Sequence, residues 1–142
     1  MSEAGNSEAR VSESRYGLGR TLQVPFHEAD RRVREALQAE GFGVLTEIDV
    51  RETLRKKLDI EFRPYRILGA CNPPLAHKAL TAEEQVGLLL PCNVIVYEGS
   101  SPDESVVAIL DPKAQLAVAE NPLLDELGAD VLARMERVLA AL

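Results

Sequence analysis

The chain has 142 residues, 46% of them hydrophobic and 27% charged, which is enough for one folded core and too little for two. A formal net charge of −7 disfavours non-specific binding to nucleic acid or to anionic membranes. Aromatics are only 4% and Trp is absent, so Leu, Val, Ile and Ala must build the interior.

Residues 1 to 15 are small, polar and charged, with Val11 the one sizeable apolar side chain after Met1. They predict a disordered tail without a secretory signal, ahead of a single domain over 16 to 142. Gly17 to Val24 suggests a first strand, ended by Pro25, which has no N–H for a sheet ladder. From His27 to Glu40, Ala29, Val33, Ala36 and Leu37 recur at helical spacing, with charged residues on the other side and Gly41 as the stop. Gly43 to Asp49 alternates as a second strand, with Val44, Thr46 and Ile48 on one face and Leu45, Glu47 and Asp49 on the other. Val50, Leu54 and Leu58 then mark a short surface helix.

A third strand is expected from Phe62 to Ala70, with Pro64 near its start. Cys71-Asn72-Pro73-Pro74 reverses the chain, and Asn72 suits the N-cap of a helix over 75–80 that opens on proline. Thr81 and Glu84 have the spacing of a capping box for a second short turn ending near Leu90. Val94 to Glu98 and Ser105 to Leu110 read as a hairpin closed by Asp111-Pro112. Asn121 and Pro122 open a last helix, in which Leu124, Leu127, Val131, Met135, Val138 and Leu142 form one stripe. That stripe packs on the sheet or forms a dimer seam. No apolar run is long enough for a transmembrane span, since Val86 to Cys92 is broken by Gly87 and Pro91.

The order of elements predicts an α+β fold: a mainly antiparallel sheet of about five strands, covered on one face by two long helices, with short helical insertions. Its other face is left for solvent, a partner subunit or a ligand.

Catalytic signatures are few. The sequence has no P-loop, no Gly-x-Ser-x-Gly and no His-Glu-x-x-His, and His27 and His77 are its only histidines. His27 reads as a cap or surface residue. The two cysteines lack Cys-x-x-Cys spacing and a signal peptide, which points to reduced thiols in a cytoplasmic protein. Both are followed by asparagine and adjoin proline, in Cys71-Asn72-Pro73 and Pro91-Cys92-Asn93. If their strands are neighbours, both thiols lie at one end of the sheet with His77 a turn into the intervening helix. A thiolate beside a helix N-terminus is stabilised by free N–H groups, so Cys71, Cys92 and His77 are candidates for a redox pair, a soft-metal site or a nucleophile with its base. The bland alternative is that both thiols pack as small apolar groups.

Arg51 to Arg66 carries six basic and three acidic residues, a local excess that reads as a solvated face or an anion patch. Glu47 and Asp49 share a strand face, and Arg66 alongside them would make an ordinary cross-strand ion pair.

The strings Gly41-Phe42-Gly43-Val44-Leu45-Thr46-Glu47-Ile48-Asp49-Val50, Phe62-Arg63-Pro64-Tyr65-Arg66-Ile67-Leu68-Gly69-Ala70-Cys71-Asn72-Pro73 and Leu90-Pro91-Cys92-Asn93-Val94 resemble the domain-of-unknown-function 302 family from about Tyr16 to Leu142. The resemblance implies a compact α+β protein related to the TATA-box-binding-protein-like fold, associating as a homodimer. It implies no reaction and no DNA binding, since a fold alone does not carry function.

Three functions follow as expectations. The first is a cytoplasmic homodimer holding a small ligand, a soft metal or haem near Cys71, Asn72, His77, Cys92 and Asn93, with Arg63, Arg66 and Glu47 as charged candidates. The second is a thiol enzyme using Cys71 with His77 as base. The third is an interaction protein with inert cysteines.

Overall fold

A computed structural model describes residues 11–142. Its centre is a six-stranded, wholly antiparallel sheet in the spatial order β1-β2-β6-β5-β4-β3. The strands are β1 (Ser12–Glu13), β2 (Gly17–Leu22), β3 (Gly43–Asp49), β4 (Tyr65–Cys71), β5 (Cys92–Glu98) and β6 (Ser105–Leu110). The helices are α1 (Phe26–Ala39), α2 (Val50–Leu58), α3 (Pro73–Ala82), α4 (Pro112–Ala117) and α5 (Pro122–Ala140), with a 3-10 helix over Glu84–Leu89. Strands β3 to β6 form a meander, and α1 carries the chain from β2, beside β6, to β3 at the far edge. The fold is the predicted α+β class with one strand more. The extra strand, β1, comes from residues assigned to the tail; residues 1–10 of that tail lie outside the described residues.

One face of the sheet is covered. Strand β6 alternates cleanly, with Ser105, Val107 and Ile109 buried and Val106, Ala108 and Leu110 half-buried. Val107 and Ile109 join Leu68, Val94 and Val96 beneath α1 and α5. The C-terminal stripe packs within the chain: Leu124, Leu127, Val131, Met135 and Val138 are all buried in this core. Burying each such side chain contributes roughly 1.5–3 kcal/mol, so α5 is held by the sheet without help from a second subunit. Helix α1 ends as its sequence predicts. Gly41 has φ of 87°, its N–H donates to the Gln38 carbonyl, and that of Phe42 donates to the Leu37 carbonyl, the paired bonds of a Schellman stop.

Several boundaries differ for local reasons. Strand β4 starts at Tyr65, because Pro64 cannot join the ladder from within it. The Thr81–Glu84 capping box does not form: Thr81 lies inside α3, and its hydroxyl donates to the His77 carbonyl at 2.7 Å. Asp111-Pro112, read as the end of a hairpin, opens α4. The Asp111 carboxylate accepts from the N–H groups of Lys113 and Ala114 there.

Strict alternation in β3 also fails, because the register shifts between Val44 and Thr46. Leu45 bulges out and is 67% exposed. Val44 then faces Ala70 and Glu47 faces Leu68, so these two share the covered side, while Thr46 and Ile48 turn to the open side opposite Gly69 and Ile67. Gly69 makes this possible: a Cβ there would sit 2.1 Å from Thr46 Oγ1 and 2.8 Å from Pro91 Cγ.

Candidate functional site

The two Cys-Asn turns meet where β4 ends and β5 begins. Antiparallel pairing sets Cys92 opposite Ala70, one residue before Cys71, so both thiols reach the same end of the sheet. They line one cavity of about 370 Å³, within the usual range for small-molecule pockets. Its walls come from elements distant in sequence: Phe42 after α1, Leu75 and Ala79 on α3, Gly87 on the 3-10 helix, Leu116 on α4 and Val131 on α5. Asn72 is buried in the wall, and its carbonyl oxygen accepts from the Leu75 N–H at 3.3 Å to cap α3. The N-cap predicted from the sequence therefore anchors the helix that forms one side of the cavity.

Its lining contains no Asp, Glu, Lys, Arg or His. Thr46, Asn72 and Gln115 are its uncharged polar residues besides the cysteines; the Gln115 amide N–H donates to the Leu89 carbonyl, and its Oε1 is buried without a hydrogen-bond partner. Burial pushes the Cys92 thiol up to about 11, and the neighbouring Cys71 adds to the shift. A group so displaced stays protonated near neutrality. Both thiols are free and half-buried.

The remaining predicted residues lie elsewhere. His77 is exposed on α3 and absent from the cavity lining, because the helix turns Leu75 and Ala79 inward instead. The nucleophile-and-base pairing with Cys71 is thus not assembled. Asn93 stands opposite Gly69 on the open side of the sheet, in a groove of about 470 Å³ with Ile95 and Tyr97. Arg63 is exposed and donates to the Glu98 carbonyl at 3.3 Å.

Arg66 and Glu47 belong to a charged cluster against α1. Arg66 pairs with Asp30 at 3.0 Å and with Glu47 at 3.6 Å, while Arg34 bridges Asp30 at 2.9 Å and Glu47 at 2.6 Å. The Arg66 guanidinium also lies 5.2 Å from the centre of the Phe26 ring, within cation–π range. The expected ion pair exists for Glu47. Asp49 instead caps α2, accepting from the Glu52 N–H at 2.9 Å. Arg66 is five positions from Cys71 along β4, roughly 17 Å at about 3.3 Å per residue, so it is no counter-ion for anything in the cavity.

For a metal, only the two thiols are at hand. No group of three or more His, Cys, Asp or Glu suited to an ion occurs among the described residues, and neither is any helix there long and apolar enough to cross a membrane.

The walls themselves were not visible as a site in the sequence. The one signal that would have exposed α4 is Asp111-Pro112 followed by Lys-Ala-Gln-Leu-Ala, a cap with proline at the first position, as in Asn121-Pro122.

A cavity bounded by two Cys-Asn turns, on an antiparallel sheet covered by helices, defines the structural class. The chain belongs to the family described as Domain of unknown function DUF302, whose model matches residues 18–142. It is similar to the crystal structure of uncharacterized conserved protein DUF302 from Bacillus stearothermophilus, at 29% identity and a TM-score of 0.81, over 91% of this chain and 100% of that one. A search of curated proteins found no match.

Proposed function

We propose that this protein binds a small molecule in the cavity between the two Cys-Asn turns. One observation carries the reading: side chains from α3, the 3-10 helix, α4 and α5 leave a 370 Å³ space beside both thiols, although close packing is the rule for interiors. Unpaired thiols suit a reducing, cytoplasmic setting. A haem or soft-metal version would rest on Cys71 and Cys92 alone, and the thiol-enzyme version lacks its base, since His77 faces outward.

The test is protection of the thiols. Naphthalene at saturation is expected to slow alkylation of Cys71 and Cys92 about tenfold or more, as expected of groups walled off by a ligand that buries 70–90% of its own surface. Unchanged alkylation in the presence of naphthalene, or of a panel of comparable small molecules, would remove the proposal.

A second observation supports a homodimer. Cross-strand partners on the open side include Thr21, Ile48, Ile67, Ile95, Val106 and Ala108, with Tyr65 paired to Tyr97 and Gly69 to Thr46 and Asn93, without a charged residue among them. The Tyr65 and Tyr97 rings stack there, 5.1 Å apart. Five strands of six or seven residues, at about 4.8 Å spacing and roughly 20 Å length, present ~500 Å², so two copies face to face would bury about 1,000 Å², the threshold for a stable interface. Sedimentation equilibrium of wild type and Ile95→Arg checks this. A dimer that the substitution converts to monomer is expected, and a wild-type monomer at high concentration would exclude it.

A further inference from the structure

The cavity also restricts the chemistry of what it holds, an inference that rests on the ligand-binding reading above. We infer that its ligand is an uncharged, apolar molecule that enters between Leu45 and Leu80. Both residues line the cavity while remaining 67% and 43% exposed, which places them at its mouth. Leu45 stands there because of the β3 bulge, and Leu80 because α3 turns Ala79 inward.

The interior excludes charge for three reasons. No ionisable side chain other than the two thiols lines it. Cys92 itself resists ionisation there, its thiol pushed up to about 11 by burial. The Asn72 Oδ1 is engaged at the α3 cap and the Gln115 amide N–H at the Leu89 carbonyl, while the Gln115 Oε1 is a buried, neutral acceptor without a partner. A buried ionic group would meet no counter-ion, and an uncompensated buried charge is strongly unfavourable. The nearest arginine on the same strand, Arg66, is committed to Asp30 and Glu47.

Two dyes with the same ring skeleton test this directly. Phenylnaphthylamine is neutral, and anilinonaphthalene sulfonate adds one fixed negative charge. Fluorescence titration of the full chain is expected to show the neutral dye binding at least about tenfold more tightly, a difference of about 1.4 kcal/mol. Gly87→Phe locates the site: a Cβ at Gly87 meets only the Leu80 Cδ2 at 3.9 Å, so the ring fills the mouth without a backbone clash. It is expected to weaken the neutral dye by about tenfold or more.

Equal affinities for the two dyes, both lost in Gly87→Phe, would overturn the charge selectivity and leave the cavity reading standing. Dye binding indifferent to Gly87→Phe and to Ala76→Phe would overturn both. Should either variant melt early by circular dichroism, wild-type thiol alkylation decides. The neutral dye is expected to protect Cys71 and Cys92 and the sulfonate is not; equal protection overturns the inference.

Discussion

Strand β4 has two ends of opposite character. At its start Arg66 sits among Asp30, Arg34 and Glu47, every one of them in an ion pair. At its finish Cys71 faces a cavity without a charged side chain. Both ends approach the helical layer, yet charge is compensated at one and excluded at the other. The difference teaches where each end draws its stability. The first depends on pairing groups that would be costly alone. The second depends on caps and apolar walls, and tolerates an unfilled volume that a ligand can use.

The sharpest way to break the contrast is at Asp30. It is 8% exposed and accepts from both Arg34 and Arg66 through the same oxygen. Asp30→Ala leaves the Arg66 guanidinium, which is 23% exposed, with only the longer Glu47 pair at 3.6 Å, and urea denaturation should show a loss of about 3 kcal/mol, the lower end for breaking a buried pair. A loss below that of an ordinary surface pair, under about 1 kcal/mol, would make the cluster decorative.

At the other end the corresponding lever is pH. The Cys92 thiol is raised by burial to about 11 in the folded chain, above the ordinary value of about 8.5. Between those values the unfolded chain loses the proton first. The contribution is therefore complete below about pH 8.5 and declines as pH rises toward about 11. Relative to Cys92→Ala, the wild type should lose about 3 kcal/mol over that interval. Parallel pH profiles for the two proteins would show the thiol is not desolvated.

The smallest of the expected effects is at Asn72. Asn72→Ala removes the side-chain acceptor for the Leu75 N–H and should cost about 1 kcal/mol. Because α3 carries Leu75 and Ala79 into the cavity wall, thiol alkylation should accelerate in the same variant. Destabilisation without faster alkylation would separate the cap from the cavity.

Much of the fold was legible because its signals are local. Asn72-Pro73 and Asn121-Pro122 announce helix starts through capping chemistry that needs only neighbouring residues. The stripe from Leu124 to Val138 announces a buried helix face by its period. The proximity of the two cysteines was also inferable, since it needed only β4 and β5 to pair. His77 was misplaced because one turn along a helix fixes distance but not direction, and the direction was set by Leu75 and Ala79 entering the core.

By itself, the sequence determined most of the elements, the caps at Asn72 and Asn121, and the family to which the chain belongs. It determined as well that the cysteines would stand at strand ends. Only the tertiary structure decided that β3 would bulge at Leu45, that Glu47 would turn toward α1, and that four separate helical segments would leave a space between them. Caps and periodicity act over a few residues. A bulge that needs Gly69 beneath Thr46, or a cavity bounded by Phe42, Leu116 and Val131, depends on surfaces that meet only after the chain has folded.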